Sequence, residues 1–272
     1  MIARILIDNT TQSELIPEWG LSVWIEYGGH KLLLDTGTTG AFIKNAEMMG
    51  LEIRDIEYGV LSHAHYDHAD GMEDFFAYNE KASFYLREGA GENCYDGKEE
   101  SARYIGIKKG YLERFADRII YVKGEHEFLP GAFLIPHKTP GREKLGVKAG
   151  MYVKWGDEWM PDTFSHEQSL VLHTEKGLVI WNSCSHGGAG NIIRETADTW
   201  PDKRIYALIG GFHLFKSSDE EVRELAREIE ETGIEKIYTG HCTGEKAFDI
   251  LKEELKEKAE KIYTGMEIRI GE

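Results

Sequence analysis

The chain has 272 residues, of which 41% are hydrophobic and 29% are charged, which is enough apolar sequence for a buried core and excludes a disordered chain. Its formal net charge is −16 at pH 7, and because such a field repels polyphosphate backbones, nucleic acid is disfavoured as a partner. No apolar stretch approaches the roughly 20 residues that cross a bilayer, so we expect no membrane-spanning segment.

The first third of the chain alternates strands with helices. Residues 21–27 and 31–35 form a predicted hairpin, with Gly28 and Gly29 supplying the positive φ angles of its tight turn. Apolar spacing predicts further strands at 1–8, 56–61 and 82–86 and helices at 38–49 and 70–78. The strand at 56–61 leads directly into a cluster of histidines.

The middle of the chain, about residues 87–165, is rich in glycine, tyrosine, tryptophan and charge, and its periodicity is weak. We interpret it as an irregular elaboration with a helical piece at 101–115, strands at 118–122 and 132–136, and then a long loop. Because loops of this length in compact domains usually carry function, we expect a lid or a binding segment here.

Regular structure returns after residue 165. A second hairpin is predicted from strands at 168–174 and 178–181. The remaining pattern predicts strands at 204–209, 236–239 and 266–270 and helices at 190–199, 219–232 and 245–260. No short-period repeat is present, and both halves have ββαβ character, which indicates an α/β protein with two sheets between outer helices.

The cysteines and the N-terminal residues give indications about the cellular compartment. Cys94, Cys184 and Cys242 are too few and too scattered for a disulfide framework, and their odd number agrees with a reducing compartment. The first residues lack the basic-then-apolar pattern of a signal peptide. We therefore expect a cytoplasmic protein, and the sequence leaves its oligomeric state open.

The histidine cluster contains His63, His65, Asp67 and His68 within six residues. In extended backbone, His63 and His65 point the same way and can bind one cation through their imidazole nitrogens. Asp67 and His68 turn toward a neighbouring position about 3.5–4 Å away, the usual separation in two-metal hydrolases. The alternative is a surface loop that happens to hold histidines, but this spacing favours a metal site.

The same residues carry a resemblance to a known family. Residues 62–71, SHAHYDHADG, resemble the HxHxDH signature of the metallo-β-lactamase superfamily, and residues 33–37, LLDTG, resemble its upstream LLxDTG element. Four later segments resemble a subgroup described as dihydropterin ribofuranosylaminobenzene-phosphate synthase-like: 162–168, 183–191, 210–214 and 239–244. The resemblance implies a four-layer αββα sandwich, a single domain over residues 1–272 with the elaboration at about 87–165, and a two-metal site.

The resemblance also implies the ligands. The first metal would be held by His63, His65 and His166, and the second by Asp67, His68 and His241. Where most members place a bridging aspartate, this chain has Cys184 and, two residues on, His186. A thiolate can bridge and favours zinc or iron, whereas a buried cysteine without a metal role is the alternative. We expect Zn²⁺ at two sites, with Mn²⁺ or Fe²⁺ as alternatives, and the occupancy of the second site stays open.

Two further side chains have expected roles near the metals. Asp35 would accept the free N–H of a ligand imidazole, or alternatively would only form a turn before Thr36. His186 would lie nearby if it is not itself a ligand. Asp67 and His213 are the expected catalytic residues, with His213 donating a proton to a leaving group or polarising the substrate. A structural histidine is the alternative for His213.

These residues together predict a metal-dependent hydrolase, or a related transferase, that acts on a small ester, phosphoester or pterin-like substrate through a metal-activated water. One alternative is a catalytically weak metal- or ligand-binding protein on the same fold. Another is a di-iron redox protein, although such sites prefer an acidic residue at the position of His65 and need a flavin module that this chain lacks.

Overall fold

The computed structural model describes residues 1–271. Its strands are β1 Ile2–Ile7, β2 Ser22–Tyr27, β3 His30–Leu34, β4 Tyr58–Val60, β5 Ser83–Arg87, β6 Cys94–Asp96, β7 Arg103–Tyr104, β8 Ile119–Val122, β9 His126–Leu129, β10 Ala132–Pro136, β11 Met151–Trp155, β12 Glu158–Pro161, β13 Gln168–Thr174, β14 Gly177–Trp181, β15 Ile205–Gly210, β16 Lys236–Thr239, β17 Ala259–Lys261 and β18 Glu267–Arg269. Its helices are α1 Ala41–Met48, α2 Tyr66–Ala69, α3 Met72–Tyr78, α4 Tyr111–Arg114, α5 Glu143–Ala149, α6 Ala189–Thr199, α7 Asp219–Glu231 and α8 Glu245–Leu255.

Two seven-stranded mixed sheets lie at the centre of the molecule. The first has the strand order β18-β1-β2-β3-β4-β5-β8, and the second has the order β17-β16-β15-β14-β13-β10-β9. Each sheet is antiparallel in one half and parallel in the other. This arrangement brings the carboxyl ends of β3 and β4 in one sheet, and of β14, β15 and β16 in the other, to loops that carry the histidines.

Three apolar clusters hold the layers together. The alternation of side chains along the strands sends residues such as Ile5, Leu32 and Trp181 into the core between the two sheets. The opposite face of the first sheet packs against α1 and α3 through residues such as Phe42 and Phe75, and α6, α7 and α8 cover the second sheet in the same way. The fold is therefore the four-layer αββα sandwich expected from the sequence.

The middle segment contains more regular structure than its sequence pattern indicates. Residues 137–165 were expected to be a loop, but they form α5 and the hairpin of β11 and β12, which turns at Gly156 with a φ of 59°. With β6 and β7 these strands make a four-stranded sheet. This small sheet is short and partly exposed, so it lacks the buried alternation that identifies a strand in sequence.

Two predicted helices are wrong in extent. The helix expected at 101–115 is reduced to α4, because the chain around Ile105 pairs instead with the histidine loop: Tyr66 donates its N–H to Ile105, and Ile107 donates to Ala64. The helix expected at 245–260 ends at Leu255, and the following residues form β17 beside β16. Tertiary pairing overrides local helical propensity in both places. Within residues 1–271, every helix is too short or too polar to serve as a membrane span.

Candidate metal centre

The cluster of polar residues lies where the strands of both sheets end. His63 and His65 follow β4, and Asp67 and His68 lie in the short helix α2. The loops after β14, β15 and β16 supply further side chains, which are Cys184 and His186, His213, and His241 and Cys242 respectively. Carboxyl ends of parallel strands meet at one edge of a sheet, which explains how residues far apart in sequence converge.

One group of three imidazoles faces a common point. A ring nitrogen of each of His63, His65 and His186 lies within 4.8 Å of the other two. All three side chains are buried, and their Nε2 atoms have no hydrogen-bond partner among residues 1–271. Burial lowers the pKa of each ring well below the usual histidine range, and the neighbouring imidazoles lower it further. Three neutral nitrogens left without partners carry a desolvation cost that a bound cation would remove, so the donor set fits a metal.

A second group lies beside the first and contains Asp67, His68 and His241. The Nε2 atoms of His68 and His241 are 3.3 Å apart, and Oδ2 of Asp67 lies 3.7 Å from the first and 3.5 Å from the second. The other nitrogen of each ring is already used, since Nδ1 of His68 is 2.8 Å from Asp35 and Nδ1 of His241 is 3.0 Å from Oδ1 of Asn9. A neutral ring that donates from Nδ1 presents a lone pair at Nε2.

The protonation of this second group also fits a cation. Burial lowers the pKa of His241 to about 3, so this ring is neutral. Burial has the same effect on His68, but the carboxylates of Asp67 and Asp35 outweigh it and raise the pKa of His68 to about 9. A protonated His68 would offset the negative charge of the two carboxylates, and a metal ion held by these side chains would do so in place of that proton.

Asp35 is linked to both groups by hydrogen bonds, directly to His68 and through Ser62 to His63. Its Oδ2 lies 2.8 Å from Nδ1 of His68 and accepts the hydroxyl of Ser62 at 2.7 Å. The same hydroxyl is 2.8 Å from Nδ1 of His63, and the N–H of Ser62 donates to Oδ1 of Asp35. These contacts fix the orientation and tautomer of the imidazoles. The backbone is strained around the centre, because five non-glycine residues there have a positive φ: Asp35, Phe164, Ser185, His213 and His241.

Two cysteines lie next to the second group. Sγ of Cys184 is 3.3 Å from Nε2 of His68 and 3.4 Å from Sγ of Cys242. A ligand atom of Cys184 also lies within 4.8 Å of those of His63 and His68. Cys184 therefore lies between the two groups, at the place where a bridging ligand would be needed. All three cysteines of the chain are free thiols.

His166 is placed differently from the ligand that the resemblance implies. Its Nδ1 accepts the N–H of Ala64 at 3.1 Å, and its Nε2 lies 3.1 Å from Oδ2 of Asp162. A ring that accepts at Nδ1 carries its proton on Nε2, so in this arrangement Nε2 of His166 donates to Asp162. His166 also lies in a possible ligand group of its own, with His65, Cys94 and Asp162. The bare nitrogen beside His63 and His65 belongs to His186 instead.

A buried ion-pair network holds the loop that carries His186. The ring of His137 lies between two carboxylates, with Nε2 at 2.6 Å from Glu167 and Nδ1 at 3.1 Å from Glu195. Glu167 in turn accepts the N–H groups of His186 and Gly187, both at 2.9 Å. Burial alone would lower the pKa of His137, but Glu167 and Glu195 raise it to about 9. Sequence reasoning missed all three charged residues, although Glu167 stands beside His166 in a segment that carries the resemblance.

An open cavity of about 320 Å³ leads to the centre. Its inner wall contains His65, Asp67, His186 and His241, and its other lining residues include Trp19, Arg103, His213, Phe215 and Lys216. Nδ1 of His213 has no hydrogen-bond partner in the described part of the chain. A neighbouring cavity of about 360 Å³ shares His186, His213 and Lys216. A small molecule can therefore reach both groups of ligands.

The fold and the two groups of ligands define a class of protein. The sequence profile of the metallo-beta-lactamase superfamily matches residues 19–241, and the chain belongs to this superfamily. The resemblance seen at the histidine cluster is confirmed.

Individual relatives are similar over nearly the whole chain. A protein of Methanocaldococcus jannaschii named 7,8-dihydropterin-6-methyl-4-(beta-D-ribofuranosyl)-aminobenzene-5'-phosphate synthase is 27% identical over 269 residues, which cover 93% of this chain and 91% of the relative. The crystal structure of Tm1679, described as a metal-dependent hydrolase of the beta-lactamase superfamily, is 31% identical with a TM-score of 0.84 and covers 100% of both chains. A diphosphatase of the PhnP family shares the fold, with 14% identity, a TM-score of 0.56 and coverage of 99% of this chain and 97% of the other.

Proposed function

We propose that the protein is a metal-dependent enzyme that hydrolyses, or transfers a group from, a small ester or phosphoester. The observation that carries the proposal is the convergence of bare, buried imidazole nitrogens from three separate loops next to a carboxylate and a thiol. Such an arrangement costs free energy unless cations satisfy it. The open cavity beside these nitrogens gives a substrate access to them.

We assign the first cation to His63, His65 and His186 and the second to Asp67, His68 and His241, with Cys184 between them. This assignment replaces His166 with His186, because both ring nitrogens of His166 are engaged by the protein whereas Nε2 of His186 is not. Imidazole and thiolate donors suit zinc better than they suit cations that prefer oxygen. Zinc is therefore the proposed metal.

The chemistry divides between the metals and the chain. Two divalent cations lower the pKa of a water molecule and polarise a carbonyl or phosphoryl oxygen. Asp35 and Ser62 keep the imidazoles oriented. His213 lies on the cavity wall with Nδ1 free, which suits it to hand a proton to a leaving group.

The cavity supports an anionic substrate. Lys216 and Arg103 both line it, the latter paired with Asp96 at 2.8 Å, in a protein whose formal net charge is −16. Positive side chains beside a cation centre favour a phosphate or carboxylate group. The printed name of the archaeal relative refers to a 5'-phosphate compound and to a synthase. The positive lining residues and the name of the relative favour a phosphoester substrate. The name also keeps group transfer, besides hydrolysis, as a proposed reaction.

A matched pair of variants tests the assignment. Purified protein is stripped with a chelator, reloaded with zinc, and then measured for metal content and for turnover of aryl esters and aryl phosphodiesters. We expect two zinc ions per chain. His186→Ala should lose one ion and more than about 100-fold in turnover, because a direct ligand is gone.

His166→Gln is the matched control, since it changes a buried histidine of the same edge that is not a proposed ligand. It should retain two ions, because Gln can still donate to Asp162. Loss of a zinc ion from His166→Gln, with His186→Ala unaffected, would reverse the assignment. Wild-type protein that binds no stoichiometric metal would refute the proposed function itself.

A further inference from the structure

Residues 210–214 and 239–244 come together at Sγ of Cys242, which is not among the metal ligands proposed above. Sγ of Cys242 lies 3.4 Å from Sγ of Cys184, and a ligand atom of Cys242 lies within 4.8 Å of those of Cys184 and His241. Both cysteines are buried, at 1% and 3% exposure. The third cysteine, Cys94, belongs to a different group with His65, Asp162 and His166.

The backbone around Cys242 makes room for this sulfur. A Cβ atom added at Gly211 would lie 2.5 Å from Sγ of Cys242, so only glycine fits there. The N–H of His213 points at the same sulfur at 3.3 Å, in a residue whose φ is +50°. A donated N–H stabilises a thiolate more than a neutral thiol. The local structure therefore positions Sγ of Cys242 beside the proposed metal centre, where it accepts the N–H of His213.

The distance between the two sulfurs suits a shared cation. A disulfide bond is about 2.05 Å long, so these atoms are not bonded to one another. Two thiolates on one zinc ion, each about 2.3 Å from it and separated by a near-tetrahedral angle, would be roughly 3.8 Å apart. The observed 3.4 Å is close to that value. Nε2 of His68 is 3.3 Å from Sγ of Cys184.

We propose that Cys242 is a second sulfur ligand at the second metal position, beside Cys184, His68, His241 and Asp67. On binding, each thiol loses its proton to solvent as its sulfur–metal bond forms. The two positions would then differ: the first offers three imidazoles, and the second offers a pair of soft sulfur donors. The second position should select zinc or iron(II) over manganese or magnesium. This inference rests on the proposed metal centre.

Cobalt(II) substitution measures the number of sulfur ligands directly. Cobalt–thiolate bonds give a near-ultraviolet charge-transfer absorption whose intensity rises with the number of such bonds, and metal content is measured on the same samples. With Cys184 bridging both ions and Cys242 on one, we expect Cys242→Ser to lower this band by about one third and Cys184→Ser by about two thirds. The double variant should lose it. Cys94→Ser is the matched control, a buried cysteine outside the group, and should keep the wild-type band.

The possible results of these measurements distinguish the role of Cys242 from the existence of the metal centre. A wild-type intensity in Cys242→Ser at full cobalt content, with complete loss in Cys184→Ser, would overturn the role of Cys242 while leaving the metal centre intact. Failure of the wild-type protein to bind cobalt would refute the metal centre instead. A second measurement needs no variant: cadmium-113 NMR of the wild-type protein should show one ion with two sulfur neighbours. A spectrum in which neither ion has more than one would contradict the inference.

Discussion

The centre depends on which nitrogen of each imidazole carries a proton. Asp35 and Asn9 accept from Nδ1 of His68 and His241, so both rings present Nε2 to the same point. His166 has the opposite arrangement, because its Nδ1 accepts an N–H from Ala64. Our proposed assignment leaves His166 out for this reason.

Replacing Asp35 tests this dependence. Asp35→Asn keeps the shape of the side chain but removes the negative charge that accepts from His68 and Ser62. We expect the affinity of the second metal position to fall about 10–100-fold. Competition with a chromophoric chelator measures it. Asp55→Asn is the control, an exposed carboxylate paired with Lys31, and should leave the affinity unchanged. Equal affinities in the two variants would show that Asp35 serves only the turn.

The sequence showed part of the centre and could not show the rest. The spacing of His63, His65, Asp67 and His68 is local, so a single segment reveals it. The choice between His166 and His186 is not local, because it depends on hydrogen bonds to Ala64 and Asp162 made across the fold. Cys242 was passed over for the same reason, since its neighbour Cys184 is 58 residues away.

At the level of elements, one buried network joins three parts of the chain. His137 follows β10, Glu167 precedes β13, and Glu195 lies in α6. The ring between the two carboxylates ties the middle segment to the second sheet and its covering helix. Because Glu167 also accepts from the backbone of His186, this tie positions the loop that enters the metal centre.

The network predicts a pH-dependent stability. The two carboxylates raise the pKa of His137 against the effect of burial, to about 9 from 6.5. Its contribution is therefore fully present below pH 6.5 and is lost as the pH rises through about 9. His137→Gln should lower the free energy of unfolding by about 3 kcal/mol near pH 6 and by progressively less as the pH rises from 6.5 through about 9. Denaturant titrations of chelator-stripped protein at several pH values measure the difference.

His126→Gln is the control for this series, because His126 on the adjacent strand β9 has no ion-pair partner among the described residues. Its effect should be small and independent of pH. A His137→Gln difference that stays constant from pH 6 to pH 10 would show that the ring contributes packing and not charge.

Helices and strands were predicted correctly where one face of the element is buried and the other exposed. They were missed where this contrast is absent. The hairpin of β13 and β14 and the helix α7 have strong periodicity, and the structure has them within one residue of the expected bounds. Most residues of β11 and β12 are only partly buried, so apolar and polar side chains alternate weakly along these strands. The end of the predicted helix at 245–260 was lost to parallel pairing with β16, a contact that no local pattern encodes.

For the whole molecule, the two sheets bring the loops after β4, β14, β15 and β16 to one edge. The core between the sheets fixes their separation, and the parallel halves place the ends of β14, β15 and β16 side by side. The formal net charge is −16, whereas the lining of the cavity includes Arg103 and Lys216. The fold thereby concentrates cation-binding groups and leaves access for a small anionic molecule.

The most direct test of the account is anomalous diffraction at the zinc edge from crystals of the zinc-loaded protein. The account predicts two peaks, one bound by His63, His65 and His186 and the other by Asp67, His68 and His241. A peak bound by His166, or the absence of any peak between these side chains, would contradict it.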